Sequence, residues 1–396
     1  MQSYHTIIIG GGISGLSLAH YNARADHSTL VLEKSDQPGG TFRSQKTEQG
    51  DFWFELGAHT CYNSYQNLIA LVQDCQLAAQ IKPRAKAPFK MLVGNTLKSI
   101  FSQIGLFELL FSVPRLFFLN KSGQTVRSYY GRIVGQGNFA RTFSAVFSAV
   151  PSQKADDFPA DMLFKKRERN KDVAKSFTMQ HGLQSIATAI VAQPQIEFVG
   201  GQRVESIRRE NDLYQIQITD GTVYQSQHLG LATPPSEASY LLEGLAPELG
   251  QHLRKIPVAQ VESMGVAIAH DQIKLKAIAG IIPKDDDFFS IVSRDVFPHE
   301  THRGFTFHFA SGLLGHRDKL RRIEEILQIS PDAIEYVREK TNYVPSPQLG
   351  HDEWLRETDR LLAATDILLT GNYFAGLSIE DCVTRSKEQF QRLPTP

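Results

Sequence analysis

The sequence predicts an α/β fold, a parallel sheet with helices on both faces, assembled from separated pieces of chain and interrupted by a second, α+β unit. Three observations predict it. An apolar run meets a glycine turn at residues 7–16 (IIIGGGISGL), a second run at 28–32 ends in Glu33, and a third at 366–370 (DILLT) meets another glycine-bounded turn. β-Branched runs that feed a turn and then a helical pattern mark parallel strands joined by crossover helices.

Residues 6–9 read as a fully buried strand, and Leu16, Leu18 and Ala19 fit the inner face of a helix that starts inside the turn. Gly10 permits the tight turn, Gly12 lets backbone approach a pyrophosphate, and Gly15 lets helix and strand pack closely. Gly11 and Ser14 line the same loop. Backbone N–H groups at the helix start, with the positive end of its dipole behind them, attract an anion. Glu33 lies 18 residues beyond Gly15, the spacing at which a carboxylate reaches a ribose diol. Together they point to a bound dinucleotide. The following loop, KSDQPGGTFRS at 34–44, adds Gly39, Gly40 and Arg43: free backbone N–H groups and a cation near the nucleotide.

A chain of 396 residues exceeds the roughly 250–300 at which single cores stop growing, so two units are expected. Lys plus Arg equals Asp plus Glu at 42 each, which leaves no overall field to gather nucleic acid and favours a small-molecule partner. Cys61, Cys75 and Cys382 lie far apart and suggest neither a disulfide framework nor a zinc knuckle. The glycine turn starts at residue 10, too early for a secretory leader before it, so a cytoplasmic location is expected.

Near the C-terminus, residues 371–376 (GNYFAG) read as a turn and Ser378 as the N-cap of a final helix. GGGISGL followed by LEK and GGTFRS resembles the N-terminus of the flavoprotein amine oxidase and protoporphyrinogen oxidase superfamily. GNYFAGLSIEDCV, at 371–383, is similar to the closing motif of its protoporphyrinogen oxidase-like members, and Asn372 stands where amine oxidases more often carry Glu. Weaker likenesses run in order between these ends: FELGAHTCYNSYQNLIALVQD at 54–74, QHGLQSIATAI at 180–190, GQRVESI at 201–207, LGLATPPSEASYLL at 229–242, SRDVFPHETHRGFTFHFASG at 293–312 and VPSPQLGH at 344–351.

The resemblance implies FAD, noncovalently held in most members. It assigns Lys34, Gly40, Thr41 and Arg43 to the second nucleotide loop, Gly57, Ala58 and His59 to the segment passing the flavin ring, and Val204 to the adenine side. Ala232 and Thr233 follow a nucleotide-domain strand, and Gly371, Asn372, Gly376 and Leu377 lie at the ring's other edge. No catalytic residue is assigned; His59 is the candidate, with a packed polar role as the alternative. The expected layout is a discontinuous Rossmann-type FAD-binding domain at 1–80, 185–250 and 352–396. A substrate-binding domain is inserted, helical at 81–184 and sheet-rich at 251–351.

The implied activity is an FAD-dependent oxidase or dehydrogenase that removes hydride from a hydrophobic unsaturated heterocycle, as protoporphyrinogen oxidases do. An oxidase of a small cyclic amine or dihydropyrrole remains open, as does a non-oxidative flavin isomerase or mutase. Lys82, Arg84, Lys86, Lys90 and Lys98 could meet carboxylates of an acidic substrate or form a solvated face. Electrons would pass to molecular oxygen, a quinone or a carrier protein, because GQGNFA at 135–140 lacks the strand and acid of a second dinucleotide site.

HETHR, at 299–303, is one residue short of a zinc helix, and no metal is expected. Cys382 is expected to be a buried cysteine rather than a covalent attachment point. FKKRERNK, at 164–171, reads as a solvated helix face. The aromatic-rich stretch at 99–120 is interrupted by Gln103, Glu108, Pro114 and Arg115, so it falls short of the roughly 20 apolar residues of a span. The favoured reading makes it the wall of a substrate cavity; the other lays it in a membrane surface, with the protein peripheral at the inner face.

Overall fold

In the first strand, Gln2–Ile9, Ile7 and Ile9 pack into one hydrophobic core and Ile8 into another. Side chains alternate across a strand, so burial on both sides requires cover on both faces of the sheet. The computed structural model describes residues 1–48 and 51–393. Its first sheet has seven strands, in the order Ile196–Val199, Thr29–Leu32, Gln2–Ile9, Val223–Leu231, Leu213–Ile218, Val204–Glu210. The first four are mutually parallel, and the last two return antiparallel. The seventh, Leu368–Leu369, joins Val223–Leu231 in parallel at Gly230 and Leu231, beyond the point where Leu213–Ile218 leaves that edge.

Helix Ile13–Arg24 covers one face and packs against the closing helix, Ile379–Phe390. The Ser386 hydroxyl of the closing helix donates to the Ser14 carbonyl at 2.7 Å. Trp354, Tyr373 and Phe374 fill the opposite core.

A second seven-stranded sheet runs Ile334–Pro345, Val258–Ala269, His302–Ala310, Phe288–Ser293, Gly280–Pro283, Phe89–Val93, Thr96–Ser99. It is antiparallel except where Gly280–Pro283 meets Phe89–Val93. Phe288, Phe305, Phe307 and Phe309 form its core with Ile323 and Leu327 of helix His316–Leu327. The chain is thus a mixed α/β protein with parallel and antiparallel sheets.

Smaller pairings link the two. Trp53–Glu55 pairs with Ser44–Lys46, and Phe54 lies flat against the second sheet, where a Cβ at Gly265 would fall 2.2 Å from its ring. Ser176–Met179 holds Cys61–Tyr62 and Ile81–Pro83 on either side.

Two expectations change in the helical region. The 99–120 stretch does not wall a cavity: Phe101, Leu106, Phe107, Leu110 and Phe111 are 69 to 83% exposed. Helix Leu106–Ser112 is held instead through its one acid. Glu108 accepts from the Gly137 and Asn138 N–H groups at 2.6 and 2.9 Å and pairs with Arg141 at 3.0 Å. Satisfying those donors turns the apolar side chains outward.

Residues 164–171 form no helix. Lys165 and Arg167 reach Asp381 at 3.3 and 2.7 Å, so this basic run clamps the start of the closing helix. GQGNFA lies within a helical cluster around Val126, Tyr129, Phe139 and Phe147, away from either large sheet's strands. His299 and His302 belong to no group of metal-binding side chains among the described residues.

Candidate functional site

The glycine turn leaves the first strand with Gly10 at φ +109°, a backbone state that side chains rarely adopt, and a Cβ there would meet the Ala232 carbonyl at 2.6 Å. Closer still, a Cβ at Gly15 would fall 1.9 Å from the Gly10 carbonyl, so helix and turn touch backbone to backbone. The second glycine loop zips onto the first: the Gly39 N–H donates to the Gly11 carbonyl at 2.8 Å. Glu33 braces both, accepting from the Gly11 N–H at 2.7 Å and the Ser35 N–H at 2.9 Å.

A cleft of about 280 Å³ opens over these loops. Gly10, Gly12, Ser14, Glu33, Lys34, Gly40, Thr41, Val204, Ala232, Gly371 and Asn372 all line it, so turns from both ends of the chain and from between them converge on one space. Gly11 and Gly15 lie beneath the lining and shape it.

A nucleotide fits the chemistry of the lining. Helix Ile13–Arg24 has no side-chain cap and no acid in its first turn, which leaves its N–H groups free for an anion. The buried Thr233 hydroxyl and Asn342 carbonyl oxygen have no hydrogen-bond partner, though both residues face the cleft.

Part of the lining was not legible in the sequence. Lys340, Thr341, Asn342 and Tyr343 come from strand Ile334–Pro345 of the second sheet. Lys340 donates to the Gly40 carbonyl, and burial, reinforced by Arg43 and Lys34, pulls its ammonium down to about 8. No spacing signal ties it to the glycine loops. Arg43 does not line the cleft; it donates to Gln37 at 2.7 Å. Cys382 does line it, but burial pushes its thiol up to about 12, which leaves no reactive thiolate.

Gly376 and Leu377 also stand outside. A Cβ at Gly376 would meet the Asp381 carboxylate at 2.3 Å, and Leu377 packs on the helical cluster. Ser378 does cap the closing helix, in a reciprocal capping box with Asp381.

The segment 57–59 is tied to Thr41 of this cleft and leads to a second cavity. The Ala58 N–H donates to the Thr41 carbonyl at 2.9 Å, and a Cβ at Gly57 would strike that carbonyl at 2.3 Å. His59 lines that second, smaller cavity of about 30 Å³, with Trp53, Phe54, Glu55, Arg84 and Arg294 among its walls. Burial pulls the His59 imidazole down to about 3, helped by Arg84 and His308, so the ring is neutral at physiological pH. His308, stacked 6.5 Å away, is likewise pulled down to about 4 by burial. Neutral imidazoles can offer a hydrogen bond or take a proton, but they carry no positive charge to a bound ring.

The sequence pattern of the flavin containing amine oxidoreductases matches residues 13–304. The chain belongs to this family. A flavin cofactor and a flavin-dependent oxidoreductase class follow from membership. Among curated relatives, the 15-cis-phytoene desaturase of Synechococcus elongatus is 36% identical over 75 residues, 19% of this chain and 16% of that protein, so the match spans a small part of its length. Coproporphyrinogen III oxidase of Bacillus subtilis aligns across 97% of this chain and 96% of its own, at 20% identity. A crystal structure from Exiguobacterium sp. 255-15, described as a candidate protoporphyrinogen oxidase, superposes with a TM-score of 0.78. It covers 98% of each chain at 16% identity, a likeness of fold.

Proposed function

We propose that the cleft binds FAD and that the protein oxidises a hydrophobic, unsaturated heterocycle bearing carboxylates, with a porphyrinogen as the leading substrate. One observation carries the cofactor: Gly12, Glu33, Gly40, Val204 and Asn372 line a single cleft. In this reading Gly12, Ser14 and Gly40 present N–H groups to the pyrophosphate, Glu33 holds the adenosine ribose, and Val204 flanks the adenine. Thr41, Gly57, Ala58, Gly371 and Asn372 bracket the flavin ring, and Lys34 stands at the nucleotide's open side.

The pieces 1–80, 185–250 and 352–396 form the FAD-binding unit, and 81–184 with 251–351 the substrate unit. When bound, the flavin supplies hydride acceptance. The chain's own residues position the substrate, exclude water and, at His59, offer a neutral imidazole beside the ring. Molecular oxygen or a quinone reoxidises the cofactor.

The closing motif around Asn372 and the full-length alignment with coproporphyrinogen III oxidase support the porphyrinogen. The second reading, a small cyclic amine or dihydropyrrole, is favoured by the 30 Å³ size of the cavity behind His59, which admits a head group and not a macrocycle. Purified protein should be yellow and release FAD, not FMN, on heating. Coproporphyrinogen III and protoporphyrinogen IX, supplied under air, should yield porphyrin fluorescence and hydrogen peroxide together. A flavin bleached only by a pyrroline or cyclic amine excludes the tetrapyrrole.

The exposed side chains of Phe101, Leu106, Phe107, Leu110 and Phe111 rest on a lipid surface in this proposal. Among the described residues no helix is long and apolar enough to cross a membrane, while this segment docks through Glu108 and presents its phenylalanines outward. Exposed Lys98, just before it, supplies a charge that anionic headgroups attract. Such contact places the protein at a membrane's surface, where an apolar substrate collects.

A further inference from the structure

The cavity behind His59 holds two guanidinium groups whose hydrogen-bond partners are neutral: Arg84 donates to the Thr60 hydroxyl and Arg294 to the Phe297 carbonyl. Arg84 and Arg294 both line it, and among the described residues neither makes an ion pair. Arg294 is 9% exposed, lies over the rings of Phe52, Trp53 and Phe297 at 4.9, 4.4 and 4.8 Å, and its Nε has no hydrogen-bond partner. The Arg84 Nε is also buried without a partner, and so is the hydroxyl of Thr178, 3% exposed on the same wall.

The acid in the cavity, Glu55, attracts Arg294 without forming an ion pair, and so balances these charges only in part. Glu55 already accepts from the Ser44 hydroxyl and the Leu183 N–H, and burial pushes its carboxyl up to about 7. Buried guanidinium donors left unpaired are costly, and a structure keeps such groups where a ligand completes them.

We propose that this cavity is a carboxylate subsite, in which Arg84 and Arg294 grip one carboxylate of the bound substrate and Thr178 donates a third hydrogen bond. The volume of about 30 Å³ suits one such group, and Trp53, Phe54, Val292, Val296 and Phe297 supply apolar walls for the carbon stem behind it. With His59 in its wall, the subsite would orient the reacting part of the molecule toward segment 57–58 and the cleft. Its place beside a flavin rests on the functional reading above; the anion chemistry does not.

The test uses the flavin-loaded protein and 3-phenylpropionate as probe, with 3-phenylpropionamide as the uncharged control. Trp53 lines the subsite, and in a Trp354→Phe background it is the sole tryptophan, so its fluorescence reports binding. The acid should bind at least about tenfold more tightly than the amide. Arg84→Gln should abolish that preference while Arg84→Lys keeps part of it, as expected for charge-assisted bonds at a bidentate site.

Equal affinity for acid and amide, or an unchanged preference in Arg84→Gln, overturns the proposal. Arg294 is packed among rings, so Arg294→Lys is read only alongside an unchanged melting curve. Acid preference in a preparation that takes up no flavin supports the subsite and refutes the cofactor reading. The converse result leaves FAD in place and refutes the subsite.

Discussion

Replacing Glu33 by Gln separates the dinucleotide reading from a merely structural role for that side chain. In the folded chain its two oxygens accept from the N–H groups of Gly11 and Ser35 at 2.7 and 2.9 Å. An amide has one acceptor oxygen, so one of these bonds is lost, and the contact to the ribose changes from charge-assisted to neutral. Together the losses amount to about 2–3 kcal/mol in the complex. Binding weakens by the difference between this loss and that of the flavin-free protein, about 1–2 kcal/mol or roughly 5- to 30-fold. The flavin-free protein loses about 1 kcal/mol, because the loop keeps its other bonds.

The assay is flavin fluorescence during titration of flavin-free protein with FAD and, in parallel, with FMN, which lacks the adenosine half. Glu33→Gln should weaken FAD strongly and leave FMN affinity within about twofold, a difference of about 0.4 kcal/mol. Equal weakening of both flavins, or none of either, would falsify the assignment of Glu33 to the ribose.

Gly15→Ala places a methyl 1.9 Å from the Gly10 carbonyl, so it should abolish flavin uptake and lower the melting temperature, both read in one thermal scan that follows flavin release. Burial raises the Glu55 carboxyl from its ordinary 4.5 to about 7, so the folded state favours the protonated form. Its stabilising contribution is complete below pH 4.5 and fades as pH rises through 7, by about 3 kcal/mol for a fully buried group. Between pH 5 and pH 8, therefore, wild-type protein should lose stability in urea relative to Glu55→Gln; parallel curves reject this. Phe107→Ser with Phe111→Ser should remove sedimentation with anionic liposomes at an unchanged melting temperature, since both rings are exposed; retained sedimentation rejects the lipid contact.

Much of the cleft was legible because its determinants are local. Strand, turn and helix at residues 2–24 and the acid at Glu33 are fixed by neighbours within a few dozen positions, and backbone geometry at Gly10 and Gly15 admits few alternatives. Lys340 and Asn342 were not legible, because they reach the cleft only when two separate sheets meet. The same holds for Arg294, which joins Arg84 across the chain. The outward turn of Phe101, Leu106, Phe107, Leu110 and Phe111 reversed the sequence reading for a physical reason. Hydrophobicity gives the preference of a side chain, but the three bonds to Glu108 decide which side of that short helix faces the protein. His59 lies next to Ala58, which bonds to the cleft's Thr41, though its own ring lines the inner cavity rather than the larger cleft.

The late pairing of Leu368–Leu369 with Gly230 and Leu231 bears on how the protein is made. Residue 368 leaves the ribosome 137 positions after residue 231, a delay of roughly 7–27 s at about 5–20 residues per second. Throughout it the edge beside Gly230 has no partner strand, and the Ser14 carbonyl waits for the Ser386 hydroxyl. A nascent chain in this interval carries the glycine turn but not its roof, so cofactor capture waits until residues 368–386 have emerged. The quality-control machinery would meet this protein first as an open-edged intermediate.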